Sequence, residues 1–253
     1  MSGHNKWSSI KHKKGAADAK RGRIFSRLAK EITMAARDGG GDAAMNPRLR
    51  QAVVSAKAAN MPNDNVDRAI KKGTGELAGQ APEELVYEGY VIAGVAIIVT
   101  CLSDNRNRTA ADVRNMFTKA GASLAGSGAV AWMFHRKCRF VVEGAKADEE
   151  MLTDLLLEAG ADVEDIQVSD DTAEIIGAPE AFADVAGVLE AEGIDVSESG
   201  IVLVPENTVE LTSVSDARRV LRFVETLEDY DDVQEVYVNF EVADDLMEEL
   251  AAE

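Results

Sequence analysis

The stretch AADAKRGRIFSRLAKEITMAAR, Ala16–Arg37, has the periodicity that decides the fold of the N-terminal part of the chain. Successive residues of an α-helix are rotated by about 100°, so residues three or four apart share a face. The apolar face of this predicted helix contains Ile24, Phe25, Leu28, Ile32 and Ala35. The opposite face is a cationic ridge that contains Lys20, Arg23, Arg27, Lys30 and Arg37. The helix is therefore predicted to bury one face and to present the other.

The composition of the ridge indicates an anionic partner. A solvated helix usually intersperses Glu with Lys and gains attractive pairs, but here only Glu31 lies near the ridge. Like charges along one face repel each other unless something negative lies opposite. We therefore expect the ridge to be free to meet a polyanion. Reversal of Arg23, Arg27 and Lys30 to Glu is expected to abolish binding and to leave the fold intact.

The residues before the helix, GHNKWSSIKHKKG from Gly3 to Gly15, show no apolar periodicity and are predicted to form an extended arm. Lysines on such an arm can follow phosphates. Trp7 either stacks on a base or packs as an anchor that pins the arm to a domain. The candidate nucleic-acid contacts of the arm are Lys6, Trp7, Lys11, His12, Lys13 and Lys14.

Two more helices are predicted to complete a small helical domain. Gly39–Gly41 end the first helix, and Asn46 with Pro47 forms the N-cap and N1 pair of a second helix that runs to about Asn60. Pro62 helps to open a third helix, which Gly73 ends. The short joint between the second and third helices occurs in helix-turn-helix proteins and in many bundles, so it identifies no recognition helix.

The charge of the chain divides unevenly along its length. Residues 1–80 hold 16 Lys and Arg against 7 Asp and Glu, whereas the remainder holds 11 against 38. Such asymmetry predicts that the first part meets a polyanion and that the second does not. The acidic surface of the second part either orients the protein by avoiding nucleic acid, binds a protein, or is simply solvated.

Strands and helices alternate in the acidic part. Residues 138–204 have the order βαββαβ, which is ferredoxin-like. Strands are also predicted at Leu85–Tyr90, Val91–Leu102 and Ala129–Phe134, with a helix at Asn105–Ala120. A strand, a helix and a strand after Pro205 complete a second split α/β unit around the first.

The predicted fold class is therefore α+β, with three domains. Residues 1–78 form the basic arm and the helical nucleic-acid-binding domain. Residues 79–136 and 206–242 together form one split βαβ domain. Residues 137–205 form a ferredoxin-like domain inserted in it, and residues 243–253 form an acidic tail.

Several ordered blocks of the sequence resemble the YebC/PmpR family. They are the stretch from Gly3 to Arg37, then GGGD, NPRLR, NMPNDNVDRAIKKGTGE, YEGY and SDNRNRTAADVR. The resemblance implies three domains, one helical and two mixed α/β, and attaches no catalytic residues to the chain. It implies a cytoplasmic DNA-binding transcriptional regulator. The mitochondrial relatives of the family include the translational activator of cytochrome oxidase subunit one. Other members act in translation, in association with the ribosome, and assist synthesis through difficult sequences such as proline runs.

One further candidate contact lies in the acidic part. Arg106 and Arg108 stand at the start of a predicted helix, where free backbone N–H groups and two guanidinium groups can bind phosphate. The alternative is a capped helix start with surface arginines.

Other classes of function lack support in the residues. His135 and Cys138 have the spacing of one ligand pair, but no second pair lies within reach, so no metal is predicted. No phosphate-binding loop or nucleophile elbow is present, and no cofactor or small-molecule substrate is expected. Two cysteines and the lack of an apolar span or secretory signal predict a cytoplasmic protein that does not enter the membrane.

The prediction is a non-enzymatic DNA-binding transcriptional regulator that holds phosphate backbones with its basic N-terminal surface. The alternative is a ribosome-associated factor that uses the same surface on ribosomal RNA. The residues identify no side chains that read bases in the major groove, which keeps the alternative open.

Overall fold

The computed structural model describes residues 17–79, 81–169, 171–242 and Leu246, with side chains from Arg21 onward. Contacts divide the chain into two compact units. Trp132–Thr208 form one, and the described residues up to Ala131 form the other together with those from Val209 onward. Both units mix helices with antiparallel sheets, which confirms the predicted α+β class. Within the described residues, no helix is long and apolar enough to cross a bilayer.

The larger unit begins with the helical domain. Its three helices are α1 (Ala17–Gly39), α2 (Pro47–Ala58) and α3 (Asn63–Gly73). Of the apolar face predicted for α1, Ile32 and Ala35 enter a core that also includes Leu49, Ala56, Val66 and Ala69, whereas Ile24 is 38% exposed. Gly73 is required at the contact between α1 and α3, because a Cβ atom there would lie 2.4 Å from the carbonyl oxygen of Thr33.

The buried side chain of Asn46 joins α1 to α2. Its Oδ1 accepts a hydrogen bond from the backbone N–H of Leu49 at 3.1 Å, which is the predicted N-cap. Its Nδ2 donates to the carbonyl oxygens of Ala35 at 2.7 Å and Gly40 at 2.8 Å. One amide thus satisfies polar groups at the end of one helix and at the start of the next.

The α/β part of the same unit contains a four-stranded sheet whose strands lie in the order β3 (Ser123–Leu124), β1 (Glu83–Tyr90), β2 (Ala96–Ser103) and β9 (Val233–Val238). Before the other unit, the chain forms β1 (Glu83–Tyr90), β2 (Ala96–Ser103), α4 (Arg106–Ala120) and β3 (Ser123–Leu124). The strands β1 and β2 form an antiparallel hairpin in which Glu83 lies opposite Ser103.

The rest of this part follows the other unit in the sequence. The remaining elements there are β8 (Val209–Leu211), α7 (Val214–Glu228), β9 (Val233–Val238) and β10 (Phe240–Val242). Strand β9 lies antiparallel to β2, while β8 and β10 form a separate parallel ladder. The core between helices and sheet includes Ile97, Val99, Val113, Phe117, Val220, Val224 and Val236.

The predicted strand over Ala129–Phe134 is wrong. Only Phe134 of that range lies in a strand, and a 3-10 turn occupies Ala131–Met133. The loop is held instead by the buried carboxylate of Glu88, which accepts the N–H groups of Gly128 at 2.6 Å, Val130 at 2.8 Å and Ala131 at 2.9 Å. Burial raises the pKa of Glu88, but these three donors outweigh burial and lower it below its usual value.

The smaller unit has the predicted order βαββαβ. Its elements are β4 (Phe134–Glu143), α5 (Glu149–Glu158), β5 (Val163–Ser169), β6 (Thr172–Gly177), α6 (Phe182–Ala191) and β7 (Val196–Pro205). The sheet order is β5-β6-β4-β7, as in ferredoxin-like folds. Its core includes Cys138, Phe140, Leu152, Leu156, Ile175, Val185 and Leu189.

Candidate nucleic-acid interface

Part of the cationic ridge of α1 lies against the end of α7. Arg23 forms an ion pair with the carboxylate of Asp229, and Arg27 donates a hydrogen bond from Nη2 to the carbonyl oxygen of Glu228. The carbonyl groups at a helix C-terminus carry partial negative charge. Two ridge arginines therefore meet an anionic feature of the protein itself.

Lys30 continues the contact along the turn that follows α7. Its Nζ lies 2.7 Å from the carbonyl oxygen of Asp231 and 2.6 Å from Oδ1 of Asp232. We call Glu228–Asp232 the acidic turn, and its contacts with Arg23, Arg27 and Lys30 the closed interface.

The closed interface corrects the expectation that the ridge is free to meet a polyanion. The shortage of carboxylates along α1 is explained by carboxylates that lie about two hundred residues later in the chain, since Arg23 and Asp229 are separated by 206 positions. Arg37 is also engaged, with hydrogen bonds to Asp38 at 2.9 Å and to the carbonyl oxygen of Pro82 at 2.9 Å. Sequence periodicity located the ridge correctly but could not identify what faces it.

Asp232 is the centre of the contact and is 3% exposed. Its carboxylate accepts hydrogen bonds from Lys30 at 2.6 Å, Thr109 at 2.7 Å, Arg108 at 2.9 Å, Ser103 at 3.2 Å and Tyr230 at 3.3 Å. Burial raises the pKa of Asp232, but the hydrogen bonds from Lys30, Thr109 and Arg108 outweigh it and hold the pKa well below its usual value. The carboxylate is therefore charged at neutral pH.

The same carboxylate engages one of the two arginines of the SDNRNRT segment, while the role of Arg106 and Arg108 as nucleic-acid contacts stays a prediction. Arg108 pairs with Asp232 and with Asp104, at 2.9 and 3.0 Å, so its guanidinium group is already engaged. Asn105 caps the start of α4 by accepting the N–H of Arg108 at 3.1 Å. The start of α4 is thus capped, and the side chain of Arg108, which is 48% exposed, contacts Asp232 from the surface. Arg106 is exposed and has no hydrogen-bond or ion-pair partner in the part of the chain described.

The predicted arm contacts lie outside the described residues. These are Lys6, Trp7, Lys11, His12, Lys13 and Lys14. Lys20 belongs to α1 by its backbone, while its side chain is outside the described part. Their role as nucleic-acid contacts stays a prediction.

The outer face of α2 carries cations that the sequence reasoning did not assign to the site. Arg50 and Lys57 are exposed, and Val54, which lies between them on the same helical face, is 54% exposed. The guanidinium group of Arg50 is held by the carbonyl oxygens of Ala43 and Ala44, both at 3.1 Å. Lys57 forms no ion pair with any residue that the structure describes. The sequence contained a sign of this cationic face, because the segment PRLRQAVVSAKA has no Asp or Glu.

Helix α3 has a mixed outer face. Asp64 and Asp67 are exposed in its first half, and Arg68 and Lys71 lie one turn after each of them. In a helix-turn-helix, the start of the second helix contacts base edges in the major groove. Two carboxylates near that position repel the phosphate backbone, so α3 is poorly suited to such a role.

The comparisons with known proteins cover nearly the whole sequence. Residues 5–76 match the family described as TACO1/YebC protein N-terminal domain, and residues 82–240 match TACO1/YebC second and third domain.

Similar curated proteins are named probable transcriptional regulatory proteins. The one from Desulfotalea psychrophila is 51% identical over 251 residues, which are 99% of this chain and 100% of that protein. The one from Syntrophus aciditrophicus is 50% identical over 253 residues, the full length of both. The crystal structure of a conserved hypothetical protein from Aquifex aeolicus is similar with a TM-score of 0.84 and 44% identity, and the match covers 93% of this chain and 96% of that one.

Proposed function

The chain belongs to the TACO1/YebC family, and from this premise we propose that it is a cytoplasmic, non-enzymatic, DNA-binding transcriptional regulator. The observation that carries the proposal is the uneven charge of the chain. Residues 1–80 hold 16 Lys and Arg against 7 Asp and Glu, and the remaining residues hold 11 against 38. A duplex carries about one negative charge per 1.7 Å, so it is attracted to the first part and repelled by the second.

Within the helical domain, α2 supplies the cations best placed for an incoming phosphate backbone. Arg50 and Lys57 are exposed and lie seven positions apart, which is about 10 Å along a helix. No carboxylate of α2 opposes them. The lysines of residues 1–16 add to the same charge, and we propose that they bind the same polyanion.

The second candidate is a ribosome-associated factor that binds ribosomal RNA with this surface. The observation in its favour is the position of Asp64 and Asp67 in the first half of α3, which disfavours base readout by that helix. Contacts with phosphates alone position a protein on nucleic acid without reading its sequence. Such contacts suit a structured RNA of a large assembly as well as they suit DNA.

Fluorescence anisotropy with the full chain tests the proposal. The probes are labelled duplex DNA and a labelled helical fragment of ribosomal RNA, each titrated at several salt concentrations. Binding is expected to weaken by orders of magnitude between about 50 and 200 mM salt if six or more phosphates are contacted. The variant R50E/K57E is expected to bind at least about tenfold more weakly, whereas R114E/K119E, two exposed reversals on α4, serves as the matched control.

Equal loss in both variants would show that net charge matters and that α2 does not. Absence of binding to either probe would overturn the proposal. Tighter binding of the RNA, together with sedimentation of the protein with ribosomes after DNase treatment, would favour the second candidate over the first.

A further inference from the structure

The closed interface has a composition that imitates nucleic acid. The acidic turn, EDYDD over Glu228–Asp232, offers carboxylates and carbonyl oxygens, which only accept hydrogen bonds and carry negative charge. Arg and Lys bind phosphate backbones through the same kind of charged acceptor. The ridge of α1 is thus filled by a segment that presents what a phosphate backbone would present.

We propose that the acidic turn is an internal mimic of a phosphate backbone, so that the ridge binds nucleic acid only after the closed interface has opened. This inference rests on the proposed function and adds its regulation. The closed state engages the charged groups of Arg23, Arg27 and Lys30, and the open state adds them to the cations of α2. Nucleic acid and the acidic turn therefore compete for one surface.

The closed interface satisfies Arg27 incompletely. Its Nη2 donates to the carbonyl oxygen of Glu228, but its Nε is buried and has no hydrogen-bond partner among the described residues. A buried donor without a partner is unfavourable, because it has lost its hydrogen bond to water and forms none in the protein. A phosphate group has several acceptor oxygens and can receive both N–H groups of one guanidinium edge.

The two sides of the interface have separate hydrophobic cores. The core of the helical domain and the core of the α/β part share no residue in the described chain. Ion pairs and hydrogen bonds from Arg23, Arg27 and Lys30 join these parts, and α1 also contacts β2. Polar interfaces between separately packed parts of a chain permit relative motion.

Opening leaves no buried carboxylate without a partner. When Lys30 departs, Asp232 keeps its hydrogen bonds from Ser103 and Tyr230. It also keeps those from Arg108 and Thr109, which both lie in α4. The side chain of Asp229 is 63% exposed, so water can replace Arg23 there. The acidic turn therefore keeps its polar contacts when the ridge leaves it, which reversible opening of the closed interface requires.

A reversible cross-link tests the competition directly. In R23C/D229C, a bis-maleimide with an internal disulfide joins α1 to the acidic turn, and a reductant later cleaves it. Cys101 and Cys138 are buried, and the wild-type protein treated with the same reagent controls for their reaction. The cross-linked protein is expected to bind labelled duplex DNA or ribosomal RNA at least about tenfold more weakly than the same protein after cleavage.

The outcomes separate this inference from the proposed function. If the cross-linked and cleaved proteins bind equally well, the ridge takes no part in binding, and the inference is wrong while the proposed function stands. If neither they nor the wild-type protein binds either probe, the proposed function itself fails and takes the inference with it.

A second pair of variants tests the same competition without a cross-link. D229N/D231N removes charge from the acidic turn and spares Asp232, and it is expected to bind the probes several-fold more tightly than the wild type. The matched control is D154N/D184N, which removes two exposed carboxylates from the smaller unit and is expected to leave the affinity unchanged. Equal tightening in both variants would mean that only net charge matters, and it would overturn the inference.

Discussion

Asp232 shows how one residue sets the environment of several others. A buried carboxylate is unfavourable unless charged or polar donors surround it. Its donors come from α1, from the end of β2, from α4 and from the acidic turn, and they are Lys30, Ser103, Arg108, Thr109 and Tyr230. Residues that look like surface cations in the sequence, Lys30 and Arg108, therefore act as counter-ions.

The substitution Asp232→Asn tests this role. We expect it to lower the free energy of unfolding by about 2–4 kcal/mol. The neutral amide cannot balance the charges of Lys30 and Arg108, and its NH2 group would face their N–H donors. Urea titration of the purified protein measures the change. Asp104→Asn is the control, since the Asp104 side chain is 54% exposed and its pair with Arg108 contributes no more than about 1 kcal/mol. Similar losses in both variants would contradict the central role of Asp232.

The difference in unfolding free energy between the wild type and Asp232→Asn depends on pH in a direction that the pKa of Asp232 determines. The pKa of Asp232 in the folded protein lies below its ordinary value of 3.8, so the unfolded chain takes up the proton more readily. The stabilisation is therefore complete above about pH 4 and is lost as the pH falls toward the folded value. The difference in unfolding free energy between wild type and Asp232→Asn is expected to be level from pH 7 to pH 5 and to shrink below pH 4. A difference that grows on acidification would contradict this assignment.

At the scale of elements, sequence predictions succeeded where local chemistry decides. Asn46 caps α2 as predicted, and Gly40, with a φ of 86°, directly follows the last residue of α1. The strand predicted at Ala129–Phe134 failed although its residues are apolar. Those backbone N–H groups bond to the carboxylate of Glu88, some forty positions earlier, and not to a neighbouring strand. A distant acceptor thus overrode the local preference.

The joint between α1 and α2 yields a prediction at this scale. Asn46→Ala is expected to lower the free energy of unfolding by about 1–3 kcal/mol, since it removes the N-cap acceptor and two buried donors. Asn46→Ser keeps an acceptor for the N–H of Leu49 and is expected to lose less. Chemical denaturation followed by circular dichroism measures both. Equal losses would show that the N-cap acceptor for the N–H of Leu49 contributes nothing.

At the scale of the whole molecule, the charge pattern has two consequences that compete. The N-terminal cations attract a polyanion, and the acidic remainder attracts the same cations. The structure shows the second consequence in the closed interface, where Arg23 pairs with Asp229 and Lys30 with Asp232. The sequence predicts that reversal of the ridge cations to Glu leaves the fold intact. Because of these contacts, the same reversal is a test of stability as well as of binding.

Reversal of Arg23 and Lys30 is now expected to destabilise the protein. In R23E/K30E two carboxylates face Asp229 and Asp232, and we expect the melting temperature to fall by at least about 4 °C. The control is R50E/K57E, whose side chains are exposed on α2 and lie near no carboxylate of that helix. Differential scanning fluorimetry at low salt compares them. An unchanged melting temperature for R23E/K30E would mean that the closed interface adds nothing to stability.

The sequence by itself determined the helices of the N-terminal domain, the βαββαβ order of the smaller unit, the uneven charge and the family. Each depends on residues within a few positions of one another or on simple counts, and hydrophobic periodicity and capping residues report such short-range order directly. Only the tertiary structure decided which cations face solvent. Arg23 and Asp229 are 206 positions apart, and their contact follows from packing α1 beside the end of α7. Coulombic attraction depends on distance in space, which the order of residues does not reveal.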